Sequence, residues 1–73
     1  MEMFTEFKNE EQMMQTEACF NMAMERVNKK FGKVAKDRME SFMVKLWNNL
    51  ALSVTKMGYE AAKDYARNAS FEL

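Results

Sequence analysis

Histidine and proline are absent from this 73-residue chain, and cysteine occurs once, at Cys19. A lone Cys makes no internal disulfide. Without His, the Cys/His clusters of zinc sites are missing. So is the usual base that activates a Ser or Cys nucleophile. The glycines, Gly32 and Gly58, stand alone, so no phosphate-cradling loop is present. Glu10–Glu11 is the nearest approach to a carboxylate pair, and its place at a helix start accounts for it. These absences point away from an enzyme and from any metal or cofactor.

Long hydrophobic runs are missing too. A membrane span needs roughly 18 apolar residues, and the best candidate, 42–57, is broken by Lys45, Asn48, Asn49, Ser53 and Lys56. Glu2, Glu6, Glu10 and Glu11 stand where a secretory signal would carry basic and then apolar residues. The expectation is a cytoplasmic protein with no membrane partner, whose free thiol suits a reducing compartment. Net charge is zero, with eleven bases and eleven acids.

What is abundant is helix former: Ala, Met, Leu, Glu, Lys and Arg. No segment alternates as a strand would. The sequence predicts an all-α fold in one domain: an antiparallel helical hairpin of two long helices, with a third segment after Gly58 as the variant. Residues 1–8 read as an extra turn or a flexible arm, 9–31 as the first helix, 32–36 as the turn and 37–70 as the second helix. Asn9, with Gln12 three residues on, carries the spacing of an N-terminal cap. Met13, Phe20, Met24, Val27, Phe31 and Val34 form the expected buried stripe of the first helix. Lys29, Lys30 and Gly32 signal its end, and Asp37 with Glu40 caps the next. On the second helix Met39, Met43, Leu46, Trp47, Leu50, Val54, Met57, Ala61, Tyr65 and Ala69 share a side at about 100° per residue. That phase continues across Gly58, which favours a continuous or mildly bent helix.

Two patterns bear on function. The second helix carries a further apolar set, Val44, Leu52, Tyr59, Ala62 and Ala66, that one shorter partner helix cannot also cover. Large uncovered apolar patches mark interfaces. Small domains without disulfide or metal lean on partner chains, so self-association into a dimer or higher oligomer is expected. Nine Met residues fit a surface that adapts to partners. Met14 and Met22 lie off the first helix's main stripe and join the interface set.

Charge is also patterned. Residues 1–25 hold six acids and one base, net −5, whereas residues 26–45 hold seven bases and two acids, net +5. The basic tip (Arg26, Lys29, Lys30, Lys33, Lys36 and Arg38) has two readings. One is ordinary surface charge that meets the acids within the hairpin or across a dimer. The other is an anion site for nucleic acid or a nucleotide, continued by Arg38, Lys45, Lys56, Lys63 and Arg67 along the second helix. A neutral chain speaks against nucleic acid. Trp47 and Tyr65 have the ring faces to stack a base, but at helical spacing in an apolar stripe they read as core. The functional expectation is a non-enzymatic protein-binding module: an adaptor, inhibitor or structural subunit. Its size and Met- and Asn-rich usage fit a small phage or accessory protein that modulates a host protein. Nucleic-acid or nucleotide binding is the alternative.

Overall fold

The computed structural model describes residues 3–31 and 36–69, and at residues 30, 31, 36 and 37 the backbone alone. Three helices, α1 (Glu10–Phe31), α2 (Lys36–Lys56) and α3 (Tyr59–Arg67), pack each against the other two. No strand occurs among the described residues. The 32–36 turn, apart from the helical backbone of Lys36, lies outside the described residues, as do Val34 and the side chains of Phe31 and Asp37.

The start of α1 follows its sequence signal. The Gln12 backbone N–H donates to Asn9 Oδ1 at 2.9 Å, which satisfies one of the donors that a helix start leaves free. The reciprocal bond is displaced by one residue, with Lys8 N–H donating to Gln12 Oε1 at 2.9 Å.

The buried face of α1 is rotated from the expected stripe: Val27, Phe20 and Met24 of that stripe meet the core, but its centre lies elsewhere. Thr16, Cys19, Ala23 and Val27 are buried, with Phe20 and Met24 packed at the margin, whereas Met13 is exposed. These residues recur at steps of three and four, as one helix face requires. The preference for the largest apolar side chains misplaced its centre. Small Cys19 and Ala23 sit at the middle instead, and the buried Thr16 hydroxyl donates to Gln12 O at 2.9 Å.

The second helix does not continue through Gly58. It ends at Lys56. Met57 N–H and Gly58 N–H both donate to Ser53 O, at 2.8 and 2.9 Å. Gly58 then takes φ 101° and ψ 170°, a region that is essentially open to glycine alone. Phase continuity could not reveal this break, because phase does not register a change of direction. The gain from the turn is burial. The apolar arc of α2 spans half its circumference, and α3 folds back to help cover it. Ala62 and Ala66 on α3, with Ala69 just beyond its end, join Cys19, Ala23, Val27, Phe42, Leu46, Leu50 and Val54 in one core. Asn49 Nδ2 donates to Tyr65 Oη at 3.0 Å, tying α3 to α2.

Residues 3–9 are not helical, and they lie against α2. The Phe4 N–H donates to Asn48 Oδ1 at 2.7 Å, and Trp47 Nε1 donates to the Phe4 carbonyl at 2.9 Å. Edge-to-face contacts link Phe4 to Phe7, Phe7 to Trp47 and Trp47 to Phe20, with centroids 5.2, 6.2 and 5.7 Å apart. Such geometry suits the ring quadrupoles. The segment is a docked arm.

Candidate interaction surfaces

Folding α3 back redistributes the expected interface. Ala62 and Ala66 are fully buried in the chain's own core, so they are not surface residues. Their small side chains let α3 approach closely, and this explains their spacing without a partner. Tyr59 is half-buried and packs on the same core, with the Lys63 ammonium 4.7 Å from its ring centroid. Val44 is half-buried. Leu52 is 40% exposed, but its helical neighbours are Asn48, Asn49, Thr55 and Lys56, so it stands alone.

The exposed apolar surface is instead dominated by methionine. Among the described residues the exposed large apolar side chains are Met3, Met13, Met14, Met22, Leu52 and Met57, with Met14 at 59% and Met57 at 69%. Met57 belonged to the expected core stripe. It is exposed because it is the last residue before the chain turns at Gly58. Met39 and Met24 do pack on the core, and Met43 is half-buried.

The outward face of α1 carries the most coherent set. Met14, Ala18 and Met22 recur at steps of four and are all exposed, so they form one line opposite the Thr16–Cys19–Ala23–Val27 face. Beside them an open groove between α1 and α3 is lined by Glu10, Glu11, Met14, Gln15, Ala18 and Tyr59. The two acids belong to the first turn of α1, where they complement the helix dipole. The groove therefore has an apolar floor and an acidic end.

Of the basic tip, Arg26, Lys29 and Arg38 are exposed, while Lys33 and the side chains of Lys30 and Lys36 lie outside the described residues. The basic line expected along the second helix is divided by the break. Arg38, Lys45 and Lys56 remain on α2. Lys63 and Arg67 move to α3 and pair there with Glu60 at 2.8 Å and Asp64 at 3.0 Å. The hydrogen bond and charge of Lys63 hold the Glu60 carboxyl below its usual range, and Glu60 in turn raises Lys63.

Cys19 is a fully buried free thiol. Burial pushes its pKa up, with Lys63 opposing in part, so it keeps its proton and is a poor nucleophile. Trp47 and Tyr65 spend their polar atoms on Phe4 and Asn49. No group of three or more Cys, Asp and Glu that could hold a metal ion occurs among the described residues, and none of the described helices is long and apolar enough to cross a membrane. No protein-family model matches this chain, nor does any curated protein or solved structure.

Proposed function

We propose that the chain is a non-enzymatic protein-binding module, and that its contact surface is the outward face of α1 with the groove beside it. The observation that carries this reading is the exposed line Met14–Ala18–Met22 next to a groove shared with Tyr59. Methionine is flexible and polarizable, which suits a surface that must fit another protein. Tyr59 offers an amphipathic ring at the edge. The charged ends of α1 provide orientation more than affinity.

The test is affinity capture from the cells of origin with nuclease present, comparing the natural chain with Met14→Glu/Met22→Glu. Both positions are exposed, so the variant keeps its helices by circular dichroism. A protein recovered with the natural chain and lost with the variant supports the reading. Recovery of nucleic acid alone, lost on Arg26→Glu/Lys29→Glu, replaces it with anion binding at the basic tip.

A further inference from the structure

We infer that the occupant of the outward α1 face is a second copy of this chain, paired antiparallel through α1 about a two-fold axis at the level of residue 20. This rests on the protein-binding reading above and names its partner. In such a pair, residue i of one protomer faces residue 40 − i of the other. A symmetric dimer needs one patch that is complementary to itself under that exchange.

The α1 face meets this requirement at three levels. Ala18 faces Met22 of the partner subunit, and Met22 faces the partner's Ala18, so a small residue meets a large one twice. Met14 faces the partner's Arg26, whose aliphatic stem covers apolar surface while its head stays in water. Glu11 faces the partner's Lys29, and Lys29 faces the partner's Glu11. Both lie nine residues from the axis, about 13–14 Å along a helix that rises about 1.5 Å per residue. All six side chains are exposed. The ion pairs Lys63–Glu60 and Arg67–Asp64 lie within α3 and involve neither Glu11 nor Lys29; Glu11 Oε1 accepts from the neighbouring Gln15 amide at 3.2 Å, a neutral partner that leaves the carboxylate its charge. An acidic start and a basic end on one helix align favourably only when the second helix runs the other way. Parallel pairing would set acid against acid and base against base along the same face, which is unfavourable. One helix pair makes a small interface, so the dimer is expected to dissociate on dilution.

The experiment is a charge exchange read by analytical ultracentrifugation, with circular dichroism checking that each variant keeps its helices. Glu11→Lys places four bases at the two ends of the dimer, and Lys29→Glu places four acids there. Each variant alone should raise the dimer dissociation constant about tenfold or more. Mixed one to one, they should pair with each other, because every end then joins one Lys to one Glu. The double variant Glu11→Lys/Lys29→Glu should dimerise like the natural chain. A natural chain that stays monomeric at high concentration overturns the second copy as occupant, and leaves the capture test above to be decided on its own. A dimer that both single variants preserve, or a mixture that fails to re-form it, overturns the antiparallel α1 arrangement.

Discussion

Trp47 on α2 reaches across to the N-terminal arm and donates its indole N–H to the carbonyl of Phe4 at 2.9 Å, while its ring meets Phe7 and Phe20 edge-on. One side chain thus joins arm, α2 and α1. Neighbouring Asn48 completes the attachment by accepting the Phe4 N–H. The Phe4 backbone, outside any helix or strand, finds hydrogen bonds for both its N–H and its carbonyl on α2 side chains.

Replacing Trp47 with Phe keeps a ring but removes the donor. The expected cost is about 1 kcal/mol, the usual net worth of one hydrogen bond, seen as a lower denaturation midpoint with unchanged slope. The arm should also become more accessible to protease at residues 3–8. Equal midpoints and equal protease resistance would show that the arm contributes nothing to the fold.

Gly58→Ala tests the break between α2 and α3. Beyond the adjoining residues, no atom lies within 4 Å of the added methyl, so any effect comes from the backbone. At φ 101° an L-residue is strained by on the order of 1–3 kcal/mol. The expected result is a lower unfolding temperature, with α3 less protected in hydrogen exchange. If the variant is as stable as the natural chain and more helical, α2 and α3 join into one helix at little cost, and the back-folded α3 is not what holds the core.

These two sites also show how far a sequence reading reaches. The helical character of 10–31, 36–56 and 59–67 was legible, because the helix formers, the Asn9–Gln12 spacing and the apolar periodicity agree. The direction change at Gly58 was not, since Ala61, Tyr65 and Ala69 keep the phase of Leu50 and Val54 whether or not the chain turns. That single ambiguity moved Ala62 and Ala66 from an expected surface into the core. The centre of the α1 face was misjudged because size was taken for burial: Met13 is exposed while Cys19 and Ala23 are fully buried. Close helix packing selects small residues, and nothing local distinguishes a small buried residue from a small exposed one. The N-terminal arm depends on contacts more than forty residues apart in sequence, which no local pattern encodes. Of the candidate surface, Met14 and Met22 were legible from their position off the buried stripe. The groove beside them was not, because it exists only once α3 folds back.

Cys19 gives a prediction in pH. Its folded-state pKa lies above the ordinary value of 9.0 because the thiol is buried. As pH rises, the unfolded chain therefore loses its thiol proton first. The stability linked to this group is whole below about pH 9 and declines as pH rises from there towards the folded value. Thermal unfolding of the natural chain and of Cys19→Ala should run parallel at neutral pH and converge in alkaline buffer. The native thiol should also resist alkylation until the chain is unfolded. A rapidly alkylated native thiol would place Cys19 at the surface and contradict the α1–α3 packing.

If the outward face of α1 is a self-assembly surface, the mass of the chain depends on its concentration. Light scattering on a dilution series should give twice 8.6 kDa at high concentration, falling towards the single chain on dilution. Thermal stability should fall alongside, because association binds only the folded form. Met22→Glu should remain helical and monomeric throughout. A natural chain that weighs 8.6 kDa at every concentration and unfolds in one sharp, concentration-independent transition would contradict self-assembly.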